Sequence, residues 1–172
     1  IDVLKRMQEQ QRSLLKVLWS ARDPDLPLEN INEVIILASI VERETGLSDE
    51  RSHIAGVFIN RLRRSIRLQS DPTVIYGINK KGFLSRGLKR SELNDSNNLY
   101  NTYKIDGLPP TPIAHPGRAS IQAVLNPMLT DDIYFVADGT GGHAFAVSLD
   151  EHQKNVREWR KIEVTKNKLL LR

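Results

Sequence analysis

Residues 30–46 read NINEVIILASIVERETG, a stretch with the markings of a helix at both ends and almost no polar face between them. Asn30 or Asn32 suits the N-cap, because a short side-chain acceptor there takes up a free amide of the first turn. Glu33 then places a negative charge at the positive end of the helix dipole, and Gly46 offers a left-handed stop after Thr45. The spacing predicts a helix over residues 31–45. Being apolar nearly all round, it is expected to form the buried centre of the fold.

The flanking sequence organises around that helix. Val3, Leu4, Met7, Leu14, Leu15, Val17 and Leu18 form an imperfect helical stripe over residues 1–21, expected to pack on the main body. Pro24 and Pro27 end it, since each removes an amide donor and pushes its predecessor out of the helical region. Residues 1–30 are therefore read as an N-terminal helix and linker, and residues 31–172 as the body of one domain. A third helix should begin near Ser48, with Ile54, Val57, Phe58 and Leu62 on one side and arginines on the other. From Arg67 to Pro116 helical period is lost among Gly, Pro, Asn, Asp and Tyr, which predicts short strands, ordered loops and one short helix near Ser91. Pro116-Gly117 opens a helix over residues 118–125 that Asn126-Pro127 stops. Residues 133–137 and 143–147 flank a glycine-rich turn and predict a β-hairpin. Ser148 and Glu151 have capping-box spacing for a C-terminal helix through Trp159. Residues after Ile162 fit no pattern. The composite is α+β: helices around a buried central helix, with a small β-rich lobe and a β-hairpin.

Composition narrows the chemistry. The absence of cysteine excludes thiol catalysis and cysteine-ligated metals. Four scattered histidines without HExxH spacing argue against a metal site, and no sequence feature calls for a cofactor. No apolar run reaches the roughly 18 residues that span a bilayer. The chain starts at Ile1 without a signal-peptide pattern, which is expected of a piece of a longer precursor. A net charge of +4 allows an anionic partner. Nucleic acid is disfavoured, because Arg61, Arg63, Arg64 and Arg67 read as the solvated face of a helix and no nucleic-acid motif accompanies them.

Glu42 stands out on the central helix. Stepping back by helical turns, it shares a side with Ala38, Ile35 and Ile31, so its carboxylate is expected to be desolvated and its pKa raised. Such a group can protonate a glycosidic oxygen, a poor leaving group otherwise. Glu44 aligns with Leu37 and Ile40, and periodicity alone does not separate the two.

LASIVERETG (37–46) closely resembles the active-site helix of the MltG (YceG-like) endolytic transglycosylases. VFINRL (57–62), LQSDPTVIYG (68–77), YNTY (100–103), GLPP (107–110) and GHAF (142–145) resemble the family's other blocks, in the same order. The resemblance implies a lysozyme-like helical body and cleavage within peptidoglycan strands between N-acetylmuramic acid and N-acetylglucosamine, leaving anhydromuramic ends. It implies that Glu42, following Ile40-Val41, serves first as acid and then as base. Gln69, Asp71, Thr73, Asn101, Tyr103, Leu108, Pro109, His143 and Phe145 are expected to bind the glycan. The family also implies a membrane anchor outside this sequence, the extracytoplasmic (periplasmic) face of the inner membrane as the place of work, and cell-wall synthases as partners. The rival reading is an inactive glycan-binding or scaffolding module.

Overall fold

The structure, a computed structural model, describes residues 2–170. Its helices are α1 (Asp2–Ser20), α2 (Ile31–Glu44), α3 (Arg51–Arg63), α4 (Asp71–Ile78), α5 (Arg90–Leu93), α6 (Arg118–Leu125) and α7 (Leu149–Leu170). A 3-10 turn, Ser48–Glu50, precedes α3, and the strands β1 (Tyr134–Ala137) and β2 (His143–Ala146) lie between α6 and α7.

Helix α2 is the centre. Val34, Leu37, Ala38, Ile40 and Val41 have no solvent exposure, and α3 and α6 cover them with Ile54, Phe58, Ile59, Ile121, Val124 and Leu125. Helix α1 closes the bundle through Leu15, with Leu18 and Trp19 beside it, while Val3, Met7 and Val17 stay exposed. At the start of α2, the Asn30 side chain accepts from the Glu33 amide at 3.1 Å and the Glu33 carboxylate accepts from the Glu29 amide at 2.7 Å. The expected left-handed stop is absent. The helix ends at Glu44, and Thr45 is extended, its hydroxyl accepting from the Leu47 amide at 3.0 Å, so the chain leaves without needing a positive φ at Gly46.

The α+β class holds, but residues 67–116 differ from expectation. The only sheet among the described residues is the β1–β2 hairpin, and the predicted strand after Asp71 is helix α4. Its β-branched residues suggested a strand; Pro72 at the first turn, with its preset φ, and Asp71 at the positive helix end favour helix instead. The rest of the segment is ordered loop. The hairpin pairs Phe135 with Phe145 and Ala137 with His143, and its turn needs glycine at residues 139 and 141, where φ is +82° and +110°. Helix α7 continues to Leu170, beyond the expected end at Trp159, and lies on the hairpin. Ser148 caps it by accepting from the Glu151 amide at 3.2 Å, while the Glu151 carboxylate accepts from the Val147 amide rather than closing on Ser148 itself. No helix among the described residues is long and apolar enough to cross a membrane.

Helix α3 and the 126–132 loop approach closely at Gly56. An added Cβ would lie 2.5 Å from the Met128 carbonyl oxygen, and the Met128 amide is itself bonded to the Ser52 carbonyl at 2.9 Å, so that backbone has little room to yield. Gly56→Ala should destabilise the fold by about 1–3 kcal/mol, seen as a lower midpoint in chemical denaturation.

Candidate active site

Residues two positions apart in an α-helix are separated by about 200° of rotation, so Glu42 and Glu44 leave α2 on opposite sides. Glu42 faces the start of α6. Its Oε2 accepts from the Gly117 amide at 3.0 Å and the Ser120 hydroxyl at 2.6 Å. Partial burial alone would raise its pKa, but the Ser120 hydroxyl, the Gly117 amide and the Arg51 charge together hold it below the ordinary carboxylate value. This corrects the expected raised pKa. The physical reason is that Glu42 accepts from the amide of Gly117, the N-cap of α6, as an N3 acid does in a capping box, and brings a negative charge to that helix start from across the core.

Glu44 faces the start of α4. Its Oε1 accepts from the Ser70 hydroxyl at 2.5 Å, and the residue is half-buried. Burial pushes its carboxyl up to about 7. The Ser70 bond pulls down, the Asp71 charge pushes up, and His143 and Arg61 pull down more weakly.

Tyr103, Arg61, Gln69 and His143 are each tied into the surrounding fold. Tyr103 donates its hydroxyl to Asp71 Oδ1 at 2.7 Å, and burial followed by the Asp71 charge raises the phenol above its ordinary range, so it stays a donor. Arg61 is buried; its Nε donates to the Ile133 carbonyl at 2.6 Å, and Nη1 to the carbonyls of Arg67 and Leu68 and to Gln69 Oε1, at 3.0, 2.9 and 3.2 Å. Burial lowers its pKa from the usual guanidinium value. Gln69 is exposed with φ at +53°, an uncommon conformation for a residue with a side chain. His143 donates its amide to Glu50 Oε1, and its Nδ1 lies 2.8 Å from Glu50 Oε2.

Of the expected glycan contacts, Gln69, Asp71, Tyr103 and His143 thus gather around Glu44, and the rest do not. Thr73 is fully buried, donates to the Ser70 carbonyl at 2.6 Å and pairs with the Thr102 hydroxyl at 2.8 Å, which makes it a support for Ser70. Asn101 is fully buried too; its amide nitrogen donates to the carbonyls of Glu92, Leu93 and Asp95 and its oxygen accepts from the Tyr103 amide, leaving nothing free for a sugar. Leu108 and Pro109 line a groove with Leu28, Glu33 and Ile36, and Ile36 lies about 12 Å along the helix axis from Glu44. Phe145 stacks on His53 with centroids 3.5 Å apart and packs against the core. Sequence reasoning missed Ser70, although it stands inside the LQSDPTVIYG block, and left out Arg61, whose one signal was its place on α3 within VFINRL.

The chain is similar to known proteins over most of its length. The chain is 37% identical over 153 residues to the endolytic murein transglycosylase of Bacillus subtilis (strain 168), covering 89% of this chain and 41% of that protein. It is 35% identical over 158 residues to the endolytic murein transglycosylase of Streptococcus pneumoniae (strain ATCC BAA-255 / R6), covering 85% and 28%. It therefore spans less than half the length of these relatives. A crystal structure of a YceG-like protein from Listeria monocytogenes superposes with a TM-score of 0.67 at 33% identity, over 84% of this chain and 42% of that one. The YceG-like family model matches residues 1–158, and the chain belongs to that family.

Proposed function

We propose that this chain is the glycan-cleaving part of an endolytic murein transglycosylase, with Glu44 rather than Glu42 as the residue that gives and then takes a proton. The observation that carries the reading is a half-buried carboxyl resting on the Ser70 hydroxyl and titrating at about 7, so that near neutrality it is present both as acid and as carboxylate. Glu42, pinned by two donors and held below the ordinary carboxylate range, is spent on capping α6.

The chemistry balances around one group. Glu44 protonates the bridging oxygen between N-acetylmuramic acid and N-acetylglucosamine as the bond from that oxygen to the muramic anomeric carbon breaks. The resulting carboxylate accepts the proton of the same sugar's C6 hydroxyl as O6 bonds to the anomeric carbon. An anhydromuramic end forms, water is not consumed, and Glu44 returns to its acid form. Arg61 and His143 offset the transient negative charge, while the Asp71–Tyr103 pair and Gln69 supply polar groups for sugar hydroxyls and N-acetyl oxygens. Murein lies outside the cytoplasmic membrane, so the proposed place of action is that extracytoplasmic face. A membrane anchor in the remainder of the protein and cell-wall synthases as partners belong to the same proposal.

With purified glycan strands and mass spectrometry of anhydro-terminated products, Glu44→Gln should lower the rate by about 10²–10⁴-fold, whereas Glu42→Gln should stay within several-fold of wild type. Equal loss in both variants, or none in Glu44→Gln, would remove Glu44 from this role. In the wild type, cleavage should fall as pH rises through about 7, because the donating proton is lost.

Stability should follow the same titration. A carboxyl whose folded pKa is raised from 4.5 to about 7 binds its proton more tightly in the native state, so its contribution is fully present below 4.5 and is lost as pH rises through about 7. Denaturation midpoints measured across this window should decline in the wild type, and that part of the decline should vanish in Glu44→Gln.

A further inference from the structure

The hairpin reaches the catalytic end of α2 through one carboxylate. Glu50, in the 3-10 turn before α3, accepts from the His143 amide and lies 2.8 Å from His143 Nδ1; its Oε2 also accepts from the Thr45 hydroxyl at 3.3 Å. Thr45 is the C-cap of α2 and directly follows Glu44. A hydrogen-bonded chain therefore runs from β2 through Glu50 to the residue beside Glu44. The approach is close: a Cβ at residue 142 would stand 2.7 Å from Glu50 Oε1, so a larger residue there would displace that carboxylate from His143.

This arrangement determines the imidazole. Burial would raise the Glu50 carboxyl, but the side-chain and backbone bonds from His143 outweigh it and hold it below the ordinary range, so Glu50 is an anion and Nδ1 of His143 carries hydrogen toward it. Nε2 has no partner among the described residues and is not sealed away, while the ring rests edge-on against Phe135 at 5.4 Å. The groups acting on Glu44 come from four elements: Ser70 and Asp71 at the start of α4, Arg61 on α3, Tyr103 in the loop before α6, and His143 on β2. Those acting on His143 are Glu50 and Asp138 in addition to Glu44. Arg61 spends Nε and Nη1 on backbone carbonyls and Gln69 and keeps Nη2 uncommitted among the described residues, and His143 likewise has one uncommitted edge.

We propose that Glu50 and His143 form a positioning pair for Glu44: Glu50 fixes the imidazole and ties it to the end of α2, and the imidazole stabilises the carboxylate that Glu44 becomes after giving up its proton. The proposal rests on Glu44 as the acid. It assigns His143 a role through Glu44, distinct from lining the groove for sugar, and gives Glu50 a part in the reaction although it touches no substrate.

His143→Asn separates these roles, because the asparagine amide can take the place of Nδ1–H on Glu50 while the titratable ring is removed. Carboxyl 13C NMR of this chain with labelled glutamate follows Glu44 in the absence of any glycan, so the outcome is independent of whether strands are cleaved. The Glu44 midpoint should rise above its wild-type value by about half a unit to one unit, and in glycan assays the alkaline limb of the rate should move up with it while kcat falls and KM changes little. An unmoved midpoint in folded His143→Asn, or a rise confined to KM with the limb in place, overturns the proposal. If that variant does not fold, His143→Gln is read by the same two measurements.

Discussion

A helix that is apolar on nearly every side has to be surrounded, and that requirement orders the rest of this fold. Fully burying a side chain such as Leu37 or Ile40 contributes about 1.5–3 kcal/mol, and α2 presents Val34, Leu37, Ala38, Ile40 and Val41 at once, so α3 and α6 must close over it. The same requirement carries the polar end of the helix into the interior. Glu42 and Glu44 are not on a surface helix that happens to pass a groove; they are in the last turn of a helix whose middle is fully enclosed. Each must find donors or keep its proton there. The negative end of the helix dipole also lies at this turn and opposes charge on both.

How the two carboxylates meet that requirement differs because their neighbours differ. Glu42 finds the unsatisfied amide at the start of α6, a second donor in Ser120 and the charge of Arg51, all of which favour its anion. Glu44 finds one neutral hydroxyl and another carboxylate, Asp71, with His143 and Arg61 acting more weakly. Side chains two residues apart thus acquire opposite proton affinities, which is how a single helix end can hold one structural anion and one acid. The proposed assignment of acid and cap rests on these donors and not on position along the helix.

This also explains what the sequence could and could not reveal. Helix α2, helix α6 and the hairpin were legible because period, cap and turn residues are local signals. Helix α4 was not: the short apolar run after Pro72 reads equally well as strand, and only the surrounding packing decides. Gln69, Asp71, Tyr103 and His143, named from block resemblance, lie together in the fold, whereas Thr73 and Asn101 turn their polar groups inward, which their place in those blocks did not reveal. Thr73 spends its hydroxyl on Thr102, and Asn101 its amide on three carbonyls of the α5 segment. Periodicity left Glu42 and Glu44 level because the groups that separate them, Ser120 and Ser70, lie on different elements 78 and 26 residues away.

The turn that delivers Ser70 shows how tightly the proton on Glu44 is directed. Gln69 is held at positive φ, a conformation that costs about 1–3 kcal/mol and persists only where its surroundings over-determine it. Arg61 clamps the two carbonyls before it and its own side chain, and the Gln69 and Ser70 amides are both fixed by Thr102, one on its carbonyl and one on its hydroxyl. Thr73 holds the Ser70 carbonyl from the other side. Ser70 therefore has little freedom, and its hydroxyl donates to Glu44 Oε1. In a neutral carboxylic acid the oxygen that accepts such a bond is the carbonyl one, so the acidic hydrogen belongs on Oε2, which has no partner among the described residues and is not sealed off. The strained turn thus does more than support a loop: it selects which oxygen of Glu44 carries the proton and leaves that oxygen free, as the proposed role of Glu44 as acid requires.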